Sequence, residues 1–236
     1  MSLERIQKIL SQAGVASRRE AEKLILQGQV RVNGLLVKDL GLKVDLSKDQ
    51  LVVRGKKILL PSSKLYFAYY KPSGVIVSKK DEWGRIAWAD LLQLPKEVNA
   101  VGRLDKDSEG LLLLTSDGEL LQQLTHPSYE VPKVYRVQVT PAPPKELQQT
   151  LEQGVSLDGK PCRALKVKIG VLGKPDWIEL TLLEGRNREI RRMLELFDYQ
   201  VKRLIRIKHG GIALGNMEPG ELKTLTQEQV KQLKGK

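Results

Sequence analysis

The sequence predicts an α+β protein with two domains, a small αα-β domain and a larger one whose mainly antiparallel mixed sheet is flanked by helices. Three observations support this class. Apolar residues recur at helical spacing near the N-terminus, strand-like alternation returns several times after residue 61, and helical segments lie between those strands. Because Pro61-Ser62-Ser63 has the composition of a linker, we expect the domains to be residues 1–60 and 61–236.

The first sixty residues predict two short helices and a hairpin. A stripe at helical spacing predicts the first helix, with Leu3, Ile6, Ile9, Leu10 and Ala13 buried. Ser17 and Glu20 have the spacing of a capping box, which places the start of a second helix at this point. Asn33-Gly34 lies between apolar residues and predicts a tight hairpin. Val44 and residues 51–53 continue the strand content.

The larger domain alternates strands and helices. Strands are predicted at 66–70, 74–77, 134–139 and around Ile178, Leu180 and Leu182. Helices are predicted near 86–93, 118–125, 144–152 and 188–197. A second capping box, Thr226 to Gln229, begins the last helix.

Composition narrows the function classes. Forty Lys and Arg against twenty-eight Asp and Glu give a net charge of +12, which favours a polyanionic partner such as nucleic acid. The single Cys162 and two histidines argue against a disulfide framework and a zinc site, so we expect no metal. The chain shows neither a signal peptide nor an apolar run of about 20 residues, so we expect a cytoplasmic protein without a membrane partner.

Asp105 lies in a polar loop, Gly102 to Glu109, that leads into the apolar run Leu111 to Leu114. Such a loop can place charged groups at the rim of a core strand, where a rigid site can form. Arg103 and Lys106 flank Asp105 and favour its ionised form, which suits a nucleophile or a base. From the residues alone, a carboxylate that only caps the turn is the simpler interpretation.

A basic cluster extends from Arg186 to Lys208, with eight basic residues and three acids. Ile190, Met193, Leu194 and Phe197 predict the buried stripe of a helix, and Arg188, Arg191 and Arg192 follow on the adjoining face. Because like charges on neighbouring turns repel, an anion or a buried carboxylate is the expected partner. Tyr135 shares a strand face with Val137 and Val139, where it either fills the core or contacts a substrate base.

Arg18 and Arg19 occupy the first turn of the second helix, where cations oppose the helix dipole. Together with the free N–H groups there, the two guanidinium groups suit a phosphate. The stretches Gly14 to Glu22 and Gly28 to Gly34 resemble the S4 RNA-binding domain. That resemblance implies RNA binding by the two-helix face and the hairpin, with the candidate residues Arg5, Ser17, Arg18, Arg19, Lys23, Arg31 and Asn33.

The block around Asp105, the strand Lys133-Val134-Tyr135 and the segment Glu184 to Met193 together resemble the RsuA/RluB family of ribosomal RNA pseudouridine synthases. The resemblance covers nearly the whole chain. It implies that Asp105 is the catalytic aspartate, that Tyr135 stacks on a flipped uridine, and that Arg191 pairs with Asp105. It further implies that Arg103 holds the displaced RNA open. We expect the S4 domain and the basic cluster, with Arg186, Arg188 and Arg192, to grip the RNA backbone.

The implied reaction has no redox change and no net hydrolysis, so we expect no cofactor. We expect a ribosomal RNA target, 23S rather than 16S, presented as RNA or within a ribosomal assembly intermediate, and a monomeric enzyme. The main alternative is a non-catalytic S4-type RNA-binding or ribosome-assembly protein. A methyltransferase would need a glycine-rich nucleotide loop after a strand, which the sequence lacks.

Overall fold

The computed structural model describes residues 3–235, which form two compact units. The first contains the residues up to 65 together with 94–99 and 115–118, and the second contains the remainder. Between residues 3 and 235, no helix is both long enough and apolar enough to cross a bilayer.

The first unit packs two short helices, α1 (Ile6–Gln12) and α2 (Arg18–Leu26), with short strands. The strands are β1 (Glu4–Arg5), β2 (Val30–Val32), β3 (Leu35–Leu36), β4 (Lys43–Val44), β5 (Leu51–Val53) and β6 (Lys56–Lys57). An antiparallel sheet has the order β3-β2-β5-β6, and β1 pairs with β4. Ile6, Leu10, Ile25 and Leu51 are among the residues buried in its core.

Most of the local predictions for this unit are confirmed. The Ser17 hydroxyl accepts from the Glu20 N–H while the Glu20 carboxylate accepts from the Ser17 N–H, so the capping box is complete. Asn33 and Gly34 adopt positive φ angles of 50° and 83° between β2 and β3. The prediction for Leu3 was wrong: it is 64% exposed, because Glu4–Arg5 pair with β4 and the helix begins only at Ile6.

The second unit contains the larger sheet. Its strands are β7 (Tyr66–Lys71), β8 (Asn99–Ala100), β9 (Glu109–Thr115), β10 (Lys133–Thr140), β11 (Val155–Leu157), β12 (Lys160–Cys162), β13 (Lys166–Ile169), β14 (Trp177–Leu182), β15 (Gln200–His209), β16 (Ile212–Ala213) and β17 (Leu222–Thr224). Its helices are α3 (Trp88–Leu91), α4 (Gly118–Thr125), α5 (Leu147–Gln153), α6 (Glu189–Glu195) and α7 (Gln227–Leu233). Short 3-10 turns occupy Pro127–Tyr129 and Val171–Gly173.

The main sheet has the order β13-β14-β10-β15-β9-β7-β17. Neighbours β13 and β14, β14 and β10, β10 and β15, and β7 and β17 are antiparallel, whereas β15 and β9 run parallel. The sheet is therefore mixed and mainly antiparallel, as predicted. Every residue of β9 is buried, and Leu111 and Leu113 contribute to the core beneath helices α4 and α7.

The predicted strand at 74–77 is wrong. Gly74 has a φ of 89°, and Ile76 makes only an isolated bridge to Ala87. The chain turns at Gly74, and the Val75 carbonyl accepts a hydrogen bond from the Lys71 ammonium at 2.7 Å. The helices predicted near 86–93 and 188–197 are also shorter than expected, and Phe197, just beyond α6, is only half-buried.

Candidate active site

The loop between Gly102 and Glu109 presents Asp105 at the start of β9. Gly102 has a φ of 74°, which allows the chain to turn there. The Ser108 N–H donates to the Asp105 carbonyl at 3.1 Å, which closes a tight turn over residues 105–108. Because the whole of β9 is buried, the end of this loop has a rigid support.

Asp105 and Tyr135 line the same cavity, which has a volume of about 220 Å³. Tyr135 comes from β10, where Tyr135, Val137 and Val139 alternate as buried residues on one face, as predicted. The chain segment before α6 closes another side of the cavity with Arg186, Asn187 and Arg188. The folded chain therefore brings together a carboxylate, an aromatic ring and cations from three regions of the sequence.

Arg191 does not make the predicted ion pair with Asp105. Its Nη2 lies 2.9 Å from Oδ2 of Asp107, and its Nη1 donates to the Val201 carbonyl at 3.3 Å. The tight turn is the reason: it directs residue 107 toward α6, whereas Asp105 lines the cavity. Within residues 3–235 no side chain forms an ion pair or hydrogen bond with the Asp105 carboxylate, which leaves it available for a substrate.

The remaining predicted cations of this unit have different surroundings. Arg103 is exposed at the cavity. Arg188 adopts a positive φ of 49° ahead of α6 and lies 3.5 Å from Asp107. Arg186 pairs with Glu184 at 2.7 Å and Arg192 pairs with Asp158 at 2.6 Å. The charge of each arginine is therefore partly neutralised within the protein. Arg192 does not line the cavity that contains Asp105.

Lys71 supports the loop that carries Asp105, a role that the sequence did not predict. It is fully buried, and its ammonium donates to the carbonyls of Val75 at 2.7 Å, Pro72 at 2.8 Å and Lys106 at 3.4 Å. Burial lowers the pKa of Lys71 to about 8, against the opposing effect of the nearby carboxylates. A lysine at the end of an apolar strand, directly before a proline, was the only signal in the sequence.

A second cluster holds the other end of the loop, where β9 begins. Arg203 donates to Glu109 through Nε at 2.6 Å and Nη2 at 3.0 Å, and the Tyr70 hydroxyl donates to Glu109 at 3.0 Å. These partners hold the pKa of the Glu109 carboxyl below its usual range, while burial raises the pKa of Tyr70 to about 12. Glu109 is therefore an ionised anchor with satisfied hydrogen bonds.

The candidate RNA-binding residues of the first unit are all exposed, namely Arg5, Ser17, Arg18, Arg19, Lys23, Arg31 and Asn33. Three of them also make side-chain hydrogen bonds within the unit, and the first is Arg31, whose Nη1 donates to the Gly34 carbonyl at 2.9 Å. The hydroxyl of Ser17 caps α2, and the Asn33 side chain donates to Asp49 at 2.9 Å and accepts from the Gln50 N–H at 2.8 Å. Arg18, Arg19 and Lys23 project from α2 and form one exposed basic surface of this unit.

The chain matches two protein families. A family model described as RNA pseudouridylate synthase matches residues 65–196, and one described as S4 domain matches residues 4–51. Ribosomal large subunit pseudouridine synthase B of Bacillus subtilis (strain 168) is 43% identical over 236 residues, which covers 98% of this chain and 96% of that protein.

One further relative and one solved structure are also pseudouridine synthases. An RNA pseudouridine synthase of Aquifex aeolicus (strain VF5) is 41% identical over 232 residues, which covers 97% of this chain and 93% of that protein. A crystal structure of a pseudouridylate synthase aligns with a TM-score of 0.70 and 28% identity, over 98% of this chain and all (100%) of that one.

Proposed function

The chain belongs to the RNA pseudouridylate synthase family of isomerases, and on this basis we propose that it converts a specific uridine of 23S ribosomal RNA to pseudouridine with Asp105 as the catalytic carboxylate. The observation that carries the proposal is the cavity that Asp105 shares with Tyr135. A carboxylate without a protein partner and an aromatic wall are the groups that such a reaction requires.

The reaction breaks the bond between N1 of uracil and C1′ of ribose, rotates the base, and forms a bond between C5 and C1′. The proton on C5 then leaves and N1 takes up a proton, so the product is an isomer of uridine. The Asp105 carboxylate can act by attacking C1′, by attacking the base, or by removing a proton from the ribose. Each route uses the carboxylate form of Asp105, and Arg103 and Arg188 line the same cavity.

The target uridine must leave its stack to reach Asp105, which costs a few kcal/mol. Tyr135 supports this step because its ring lines the cavity and can stack on the flipped uracil. Arg103 is exposed beside the same cavity, so its side chain can occupy the space that the base leaves in the RNA. We assign base flipping to these two residues.

The preference for 23S rRNA rests on the Bacillus relative, whose name specifies the ribosomal large subunit. An S4 domain match over residues 4–51 supports a structured RNA, either free or in an assembly intermediate. We propose that Arg186, Arg188 and Arg192 contact the same RNA, that the domains divide between residues 60 and 61, and that the enzyme acts as a cytoplasmic monomer.

Asp105→Asn tests the catalytic assignment. The substitution keeps the shape of the side chain but removes the nucleophilic charge, so pseudouridine formation on 23S rRNA should fall by at least about a thousandfold. Asp198→Asn is the matched control: Asp198 is exposed with a φ of 60°, which asparagine tolerates equally well, and full activity is expected. Both proteins should be supplied to rRNA from a strain that lacks the enzyme.

Three outcomes would contradict the proposal. Full activity of Asp105→Asn would remove the catalytic role of Asp105. Absence of any pseudouridine that depends on the wild-type protein would favour the non-catalytic RNA-binding alternative. Loss of a 16S site rather than a 23S site in the deletion strain, mapped across the transcriptome, would overturn the preferred target.

A further inference from the structure

A second cavity, of about 190 Å³, adjoins the one that contains Asp105. Gly102, Arg103, Tyr135, Gly185 and Arg186 line both cavities. The second extends away from Asp105 toward Thr125, Lys133 and His209, and the proposed catalytic reaction makes no use of it. A group attached to a nucleotide in the first cavity therefore has a neighbouring space within reach.

The second cavity carries an excess of positive charge. Arg103, Lys133, Arg186 and Arg206 line it, whereas Glu184 is the carboxylate in its lining within the described part of the chain. Glu184 already pairs with Arg186 through a 2.7 Å contact to Nε. Among residues 3–235, Arg103, Lys133 and Arg206 make no ion pair with a carboxylate.

Arg206 and Lys133 are held by carbonyl groups instead of by acids. Arg206 is 3% exposed, and its Nε donates to the Leu111 carbonyl at 2.7 Å. Its Nη2 is buried and has no hydrogen-bond partner among residues 3–235. Lys133 donates to the Leu183 carbonyl at 3.0 Å, which occupies one of its three N–H bonds. A buried guanidinium that cannot lose its proton requires an anion nearby or costs stability.

His209 adds no further charge to this group. It is 1% exposed, and its Nε2 lies 3.3 Å from the Leu124 carbonyl. Burial, reinforced by Arg206 and Lys133, lowers the pKa of His209 well below its usual value, so the imidazole is neutral. The positive charge of the cavity thus comes from Arg206, Lys133 and Arg103.

We propose that this second cavity binds a phosphate group of the RNA, namely one of the two phosphates that flank the target uridine. The inference rests on the proposed function, which places the uridine itself in the first cavity. Tyr135 and Arg103 form the shared wall, so base and phosphate lie on its two sides. The phosphate supplies the anion that Arg206 and Lys133 lack, and it fixes the ribose beside Asp105.

Amide NMR on the full chain can locate each part of a small probe. Thr125 lines only the second cavity, whereas Ser108 and Asn187 line only the first. Uridine should shift the amides of Ser108 and Asn187. Inorganic phosphate should shift Thr125, and either 5′-UMP or 3′-UMP should shift all three and bind at least about tenfold more tightly than uridine.

Lys133→Met should remove most of the preference for UMP over uridine and most of the Thr125 response. Lys174→Met is the matched control, since Lys174 is exposed before β14, at the opposite end of that strand from Leu183, and it should behave as wild type. If Lys133→Met fails to fold, the comparison of uridine with UMP on the wild-type protein decides the question, because it needs no substitution.

The phosphate site is wrong if UMP shifts Thr125 no more than uridine does, or if a folded Lys133→Met variant keeps the wild-type preference for UMP. A uridine response at Ser108 without any phosphate response at Thr125 would remove this site and leave the proposed function in place. A phosphate response at Thr125 in an enzyme that forms no pseudouridine would retain the site and remove the proposed function.

Discussion

At the scale of single residues, three cationic side chains bind the loop residues that follow Asp105. Lys71 binds the carbonyl of Lys106, Arg191 binds Asp107, and Arg203 binds Glu109. Each of these contacts draws a different part of the loop toward the core. Asp105 itself lines the cavity. Its position therefore depends on the contacts that residues 106, 107 and 109 make with these cations.

The Arg191–Asp107 ion pair should therefore affect turnover through the placement of Asp105. Arg191→Met and Asp107→Ala should each lower kcat by roughly tenfold to a hundredfold, because a displacement of about 1 Å at the reacting groups has this effect. The double variant should be hardly worse than Asp107→Ala alone, since both substitutions remove the Arg191–Asp107 ion pair and the longer contact of Arg188 to Asp107 is already lost in Asp107→Ala. Single-turnover rates at saturating RNA give the values.

Arg136→Met provides the comparison for this pair. Arg136 pairs with Glu179 at 3.2 Å on the same sheet and does not line the Asp105 cavity, so its loss should leave kcat within a fewfold of wild type. Additive effects of Arg191→Met and Asp107→Ala would show that the two residues act separately and would contradict the positioning role.

At the scale of the elements, the parallel pairing of β9 with β15 sets the loop in place. Gly110 lies opposite Arg206 in this pairing, with a φ of 102°. A Cβ at Gly110 would lie 2.4 Å from the Arg206 carbonyl oxygen, which is backbone and cannot move aside easily. The close approach of these two strands therefore requires glycine at position 110.

Gly110→Ala should lower the free energy of unfolding by about 2–5 kcal/mol, from the clash together with the positive φ. Urea denaturation measures the effect. Gly118→Ala is the matched control. A Cβ at Gly118 would meet nothing within 4 Å, and alanine favours the helix that begins at this residue. The free energy of unfolding should therefore stay within about 1 kcal/mol of wild type or rise. Equal stability of the two variants would contradict the role of Gly110.

At the scale of the whole molecule, the positive charge is unevenly distributed. The first sixty residues contain twelve basic and six acidic residues, so a quarter of the chain carries half of the net charge of +12. The exposed cations on α2 belong to this part. We expect them to contribute to RNA affinity through phosphate contacts, and to contribute little to the chemical step.

Arg18→Ala combined with Arg19→Ala should weaken RNA binding and lower the slope of log K against log salt by about 0.7–0.9 for each lost phosphate contact. The value of kcat at saturating RNA should remain near that of wild type. Binding titrations at several salt concentrations give the slope. Lys56→Ala with Lys57→Ala removes the same charge from β6 and should change the slope less; an equal change would show that net charge alone determines RNA affinity.

Much of this protein was predictable from its sequence, because local patterns and specific motifs depend on neighbouring residues. The capping box at Ser17, the hairpin at Asn33-Gly34 and the alternation through Tyr135 are of this kind, and so is the resemblance that identified the family. Charge likewise depends only on composition, which is why an RNA partner could be inferred before any fold was known.

Other features depend on contacts between distant parts of the chain, and only the tertiary structure decided them. The pairing of Arg191 with Asp107, the buried Lys71, and the cluster of Glu109 with Arg203 join residues from 35 to 94 positions apart. The sequence alone does not show which of several nearby carboxylates pairs with each cation. The packing of β9, β15 and α6 determines the pairing. For the same reason, residues 74–77 had the composition of a strand, but the chain turns at Gly74 and the Val75 carbonyl accepts a hydrogen bond from the buried Lys71.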